Sequence, residues 1–234
     1  MSDPTPTIPP AVHEHERPKA PVIDPDDVAL LLVDHQSGLF QVVGDLDVPT
    51  LRRNATVLAK LATLAKLPVV ATASVPQGPN GPLIPEIQQE APHTVYVARR
   101  GEVNAWDCED FRDAVHATGK RQLVIAGTLT TVCMAFPTLS ALAEGYEVFF
   151  VPDASGAPTE LAERLTTARL VQAGAVPMDV TAVVSEVQRT WKREDAMAWM
   201  ELWTHMLPGY QLLAESHQRA QKAALDNEPL DSER

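Results

Sequence analysis

The chain is 234 residues long, 45% hydrophobic and 21% charged, with a formal net charge of −12 at neutral pH. That length suits one large α/β domain, and the acidic balance argues against nucleic acid or an anionic membrane surface as a main partner, because both require a basic footprint. Two cysteines, Cys108 and Cys133, are too few for a disulfide framework, and no segment reads as a signal peptide or a membrane span, so a reduced, cytoplasmic protein is expected.

The stretch 1–26 reads as a proline-rich arm, with seven prolines in its first 25 residues and little apolar periodicity. A main domain is expected over 27–192. "VALLLVD" (28–34) is a continuous apolar run of the kind found in strands buried on both faces. "VPTLRRNATVLAKLATLAKL" (48–67) has helical spacing, with Leu51, Val57, Leu58, Leu61 and Leu64 on one broad face. "PVVATA" (68–73) and "TVYVAR" (94–99) read as strands on either side of a Pro/Gly loop, followed by a helix over 109–119 closed by Gly119. "QLVIAG" (122–127), "YEVFFV" (146–151) and "AVPM" (175–178) supply three more strands. Helices are expected to run to Gly145 and over 159–173.

This alternation implies a three-layer αβα architecture, an open, mainly parallel six-stranded sheet with helices on both faces. The segment 193–234 reads as a helical extension and a polar tail. Trp191, Trp199, Trp203 and Tyr210 put more aromatic surface along 180–224 than one outer helix needs, which suggests a subunit contact.

Ligands collect at the carboxyl ends of strands in open parallel sheets. Asp34, Arg99 and Cys133 all stand at or one loop beyond such ends. Position alone leaves each a bland role: a turn cap for Asp34, a surface ion pair for Arg99, packing for Cys133. Context favours chemistry at the cysteine. Thr130 or Thr131 as N-cap would place Cys133 in the first turn of a helix, where unpaired N–H groups and the dipole favour a thiolate and can hold an oxyanion. Pro137 cannot donate to the carbonyl of residue 133, so a kink is expected just after the cysteine. Cys108 lies beside Asp107, Glu109 and Asp110, which disfavour ionisation, and reads as a bystander.

These blocks together resemble the isochorismatase-like cysteine hydrolase superfamily, and within it the YcaC-type branch, whose substrate is unassigned. The resemblance runs from about Asp27 to Trp191 and rests on "LLVDHQSGLF", "GPNGPLIPE", "ARRGEVNAWDCEDF", "TGKRQLVIAGTLTTVCMAFPTLSALAEGYEVFFVPDASG" and "QAGA". It implies a catalytic acid at Asp34, a nucleophile at Cys133 and a cationic third member at Arg99, where most of the superfamily has lysine. It also implies a non-proline cis peptide at Leu129–Thr130, with backbone N–H groups of Leu129, Thr130 and Cys133 forming an oxyanion hole. Phe40, Asn104, Trp106 and Thr131 are candidates for the substrate pocket.

Nicotinamidases resemble this fold but carry a metal motif after the second strand. Here that place reads "ATASVPQGPNGP", with no histidine and no carboxylate before Glu86. His35 alone lacks the convergent ligands a catalytic metal needs, so it reads as a packing or oligomer-contact residue. No metal and no cofactor are expected. The resulting expectation is a hydrolase of a small-molecule amide-type C–N bond or related acyl bond, working through a Cys-Asp-Arg triad and a thioester. The resemblance further implies a homo-oligomer, a tetrameric ring or an octamer. A peroxidatic or redox-sensing cysteine, or an inactive scaffold of the same fold, are the alternatives.

Overall fold

Six short apolar runs become six parallel strands. The computed structural model describes residues 21–226, and its strands are β1 (Val28–Val33), β2 (Val69–Ser74), β3 (Val95–Arg99), β4 (Gln122–Gly127), β5 (Glu147–Phe150) and β6 (Val176–Pro177). Their order across the sheet is β3-β2-β1-β4-β5-β6, every neighbouring pair parallel. The chain therefore winds outward in one direction from β1 and in the other from β4. The crevice at the carboxyl ends of these two central strands is the topological switch point.

Strand periodicity divides the core in two. Val28, Leu30 and Leu32 of β1 face helices α1 (Val48–Ala65), α2 (Pro85–Glu90), α6 (Val180–Gln188) and α7 (Ala196–Met206), whereas Ala29, Leu31 and Val33 face α3 (Glu109–Ala117), α4 (Ala135–Ala143) and α5 (Glu160–Gln172). Helix α1 starts where Asp47 accepts the Thr50 N–H at 2.8 Å, and α5 where Thr159 accepts the Ala162 N–H at 3.1 Å. Each side chain satisfies one of the donors a helix N-terminus leaves unpaired. Helix α2 lies in the segment expected to be a Pro/Gly loop. Pro85, in its first turn, fixes a helical φ and needs no N–H partner there.

Most of the arm, 1–20, lies outside the described residues, as does the tail 227–234. Residues 21–26 lie on their own domain. Ile23 is buried, its N–H donates to Glu186 at 2.7 Å, and its carbonyl accepts from Arg189 at 2.7 Å. The aromatic excess near the C-terminus has an explanation within the chain. Trp199 is fully buried in the core, and Trp203 stacks on Tyr210 with ring centroids 5.3 Å apart. Helix α8 (Tyr210–Leu225) buries none of its residues and leaves Leu212 and Leu213 exposed. No helix among the described residues is long and apolar enough to cross a membrane.

Candidate active site

The switch point brings Asp34, Arg99 and Cys133 together. Asp34 directly follows β1 with φ +56°, a left-handed conformation uncommon outside glycine, and its N–H donates to the Thr72 carbonyl at 2.9 Å. The reversal lifts its carboxylate over the strand end. One oxygen accepts the Ser74 N–H at 2.9 Å and the other pairs with the Arg99 guanidinium. Asp34 and Arg99 are each 2% exposed, so this is a buried ion pair. Breaking either half would strand a charge without water.

Arg99 reaches across from the sheet's edge. Its Nε donates to Thr72 Oγ1 at 3.1 Å, Nη2 to Asp34 and Nη1 to the Glu102 carbonyl, so each guanidinium nitrogen has a protein partner. A lysine could make one of these contacts well, but not the planar set.

Cys133 sits 8% exposed in a turn wider than an α-helix. Residues 130–134 wind with five-residue spacing, marked by the Met134 N–H donating to the Leu129 carbonyl at 3.2 Å, and α4 follows. Such wide turns are rare and favour functional sites. The expected kink is thus an expanded turn that begins upstream of Pro137. Gly127 permits it: a methyl group there would stand 2.9 Å from the Cys133 carbonyl carbon and 3.0 Å from its oxygen. A Gly127→Ala change should displace residue 133 and lower kcat by about tenfold to a hundredfold, since small misplacements of a reacting group are costly. Steady-state kinetics beside a melting curve would check it; a folded variant with unchanged kcat would contradict it.

The thiol pKa is pushed up strongly, first by burial and then by the neighbouring Asp34 carboxylate, which disfavours a thiolate. The Leu129 N–H and the Arg99 charge act in the opposite direction. Burial and the neighbouring carboxylate both favour the neutral thiol.

Two expectations for this turn are corrected. The cis peptide is Thr128–Leu129, one bond before the expected Leu129–Thr130. Thr128 is tied by its N–H to the Val33 carbonyl at 3.0 Å and Thr130 by its N–H to the Gly156 carbonyl at 2.8 Å, so the reversal falls at Leu129, between these anchors. The Thr130 N–H is therefore already paired, while that of Leu129 lies close enough to the thiol to favour a thiolate. Nor do Thr130 and Thr131 cap the helix. Leu129 occupies that position with no side-chain cap, and Thr130 Oγ1 is buried without a partner.

Of the pocket candidates, Thr131 is half-buried on the wide turn beside the thiol. The recorded contacts of the other three are packing contacts and caps. Phe40 is 2% exposed and meets the His35 ring edge-on at 6.3 Å. Trp106 is 4% exposed, donates to Glu144 at 2.7 Å and packs edge-on against Phe111. Asn104 accepts the Trp106 N–H at 3.1 Å and donates to Ser140 Oγ at 3.0 Å. A surface cleft of about 330 Å³ between Asp45, Asp153 and Arg164 contains none of Asp34, Arg99 and Cys133.

Supporting residues outside those expectations are Gln36, Thr72 and Ser74. Gln36 is fully buried; its carboxamide accepts the Ser74 N–H at 3.1 Å and donates to the Ser74 carbonyl at 3.1 Å and to the Gly81 carbonyl. It holds the end of β2 against Asp34. The sequence carried a signal for the strand partners: Thr72 and Ser74 are polar at a spacing of two in "VVATAS", on one side of an otherwise apolar strand.

His35 is fully buried, and its Nε2 N–H donates to the Ala154 carbonyl at 2.7 Å. Loss of hydration pushes its pKa from 6.5 down to about 4, so the ring stays neutral. This contribution to stability is present above the unfolded pKa and is lost as pH falls toward the folded one. Between about pH 7 and about pH 5 it removes roughly 2 kcal/mol. His35→Gln, which retains a donor for Ala154, should flatten the fall of Tm over that range, and equal slopes would contradict the assignment. Among the described residues, no three His, Cys, Asp or Glu side chains gather where they could hold a metal ion.

A model of the isochorismatase domain matches residues 28–182. The "Probable hydrolase YcaC" of Escherichia coli strain K12 is 46% identical over 195 residues, 83% of this chain and 93% of that protein. The crystal structure of the E. coli YcaC gene product, described as an octameric hydrolase of unknown specificity, superimposes with a TM-score of 0.82 at 44% identity, over 85% of this chain and 97% of that one. YcaC from Pseudomonas aeruginosa, with hexane-2,5-diol and covalent acrylamide, gives a TM-score of 0.81 at 45% identity, over 84% of this chain and 97% of that one.

Proposed function

The chain belongs to the isochorismatase family of hydrolases, and from that premise we propose that Cys133, Asp34 and Arg99 form a triad that hydrolyses an amide-type C–N bond, or a related acyl bond, of a small molecule without a metal. The observation that carries this reading is the buried Cys133 thiol set beside an Asp34 carboxylate that Arg99 and the Ser74 N–H hold in place.

Asp34 takes the thiol proton as the sulfur attacks the carbonyl carbon. Because the resting thiol is neutral, proton removal and attack proceed together. Negative charge moves to the carbonyl oxygen, which the Leu129 N–H stabilises with the N–H of Cys133. Collapse breaks the C–N bond, and Asp34 returns its proton to the departing nitrogen. The acyl group is now a thioester on Cys133. Asp34 then deprotonates a water that attacks this thioester; the acid leaves and the thiol is restored. Arg99 keeps its proton throughout and acts by orienting Asp34.

Covalent acrylamide in the P. aeruginosa relative supports a reactive nucleophile in this branch, since acrylamide is an electrophile that alkylates thiols. Assembly as a homo-oligomer, a tetrameric ring or an octamer, follows the octameric E. coli relative, and the exposed leucines of α8 suit a subunit contact. A cytoplasmic setting fits two unpaired cysteines. The test is ammonia or amine release across a panel of small amides, compared with Cys133→Ala. Turnover confined to the wild type supports the reading. No turnover, together with a Cys133 inert to iodoacetamide, would favour a scaffold.

A further inference from the structure

We propose that this site selects uncharged substrates, small neutral amides with no carboxylate, phosphate or ammonium group; the inference rests on Cys133 as the reacting atom of the hydrolase. Four loops frame that atom, following the carboxyl ends of β1, β2, β3 and β4: 35–44, 75–84, 100–104 and 128–136. Farther on, before the next helices, Asp45 accepts the Ala157 N–H, Asp47 caps α1 and Asp107 is exposed; the 34 residues themselves hold two charged side chains, Arg100 and Glu102. These two have opposite sign, and the Glu102 carboxylate folds back onto the N–H groups of Arg100 and Gly101 at 2.8 and 3.1 Å. His35, the one histidine of these loops, is neutral. What the loops present instead is aliphatic and amide surface: Val75 is 39% and Val103 63% exposed, and Leu129 and Val132 are half-buried beside the thiol.

The triad adds no anchor for charge. Arg99 is the cation nearest the sulfur, yet its side chain is 0% exposed and each nitrogen has a protein partner. Asp34 is likewise held by Arg99 and Ser74. An anionic substrate would surrender its hydration here with Arg99 already engaged and only the solvent-exposed Arg100 in these loops, and a cationic one would find Asp34 already paired. A neutral amide sheds little hydration and covers the valines. The Arg at position 99 thus organises the base and leaves recognition to apolar contact.

Three methanethiosulfonates of matched chemistry test this: the neutral methyl reagent, the anionic sulfonatoethyl reagent and the cationic trimethylammonioethyl reagent. Rates at Cys133, assigned by peptide mass so that Cys108 does not contribute, are each divided by the rate with free cysteine. The neutral reagent should lead both charged ones by about tenfold or more, and Val103→Lys should raise the ratio of the anionic to the neutral rate by about threefold or more. A charged reagent equal to or faster than the neutral one, or no labelling by any, overturns the inference. Butanamide and succinamate extend it to turnover. Faster succinamate hydrolysis would sink the inference and leave the hydrolase standing. A neutral labelling preference with neither amide cleaved would keep the inference and count against the amidase.

Discussion

Replacing Asp34 with asparagine should lower kcat/KM by about a thousandfold and destabilise the fold by about 3 kcal/mol, both from one side chain. The two losses have separate causes. The catalytic loss follows from removing the group that faces the thiol proton, because a carboxamide cannot accept and return it. The stability loss follows from the buried ion pair, since asparagine leaves the Arg99 guanidinium in a 2% exposed position without its counter-charge. Asparagine keeps the shape and can still accept the Ser74 N–H, which isolates the charge as the variable. Denaturant midpoints and steady-state kinetics on the same preparations separate the effects. Arg99→Lys should fall between wild type and Asp34→Asn, keeping the charge but losing contacts to Thr72 or Glu102. A fully active Asp34→Asn protein would leave the base unidentified.

Cys133→Ala should reduce turnover by about ten-thousandfold or more, while Tm changes little. The alanine removes one sulfur from a site packed by Met134 and Ala135, whose backbone is held by the Gly127 approach rather than by the thiol. It leaves the Asp34–Arg99 pair whole. Activity lost together with folding would assign Cys133 to packing; activity lost from an intact fold assigns it to chemistry. Residual turnover near wild type would remove the nucleophile altogether.

The sheet was legible because its central strands are buried on both faces. "VALLLV" and "QLVIAG" read as strands from apolar continuity alone, and their ends located Asp34 and Cys133. Other features depend on contacts that no local pattern carries. The wide turn at 130–134 exists because Gly127 lets the backbone of residue 133 close on the strand end, a tertiary approach. Pro137 marked a disturbance but not its type or its start. The position of the cis peptide depends on which carbonyls claim the Thr128 and Thr130 N–H groups, and one of these, Gly156, lies 26 residues farther along the chain. Phe40 and Trp106 show a different limit. An aromatic side chain in a Gly- or Pro-rich loop can line a pocket or plug a core, and burial at 2% and 4% is a property of the folded surface. Gln36 was hidden by its neighbour: beside Asp34 it reads as one more polar loop residue until its amide is seen holding both backbone groups of Ser74.

The most direct measurement is the mass of the protein during turnover of a small neutral amide, quenched in acid and mapped to peptides. The account predicts a mass gain equal to the substrate less its amine, located on the Cys133 peptide, discharged by hydroxylamine and absent from Cys133→Ala. Steady hydrolysis with no adduct at Cys133, or an adduct elsewhere that persists in Cys133→Ala, would contradict it.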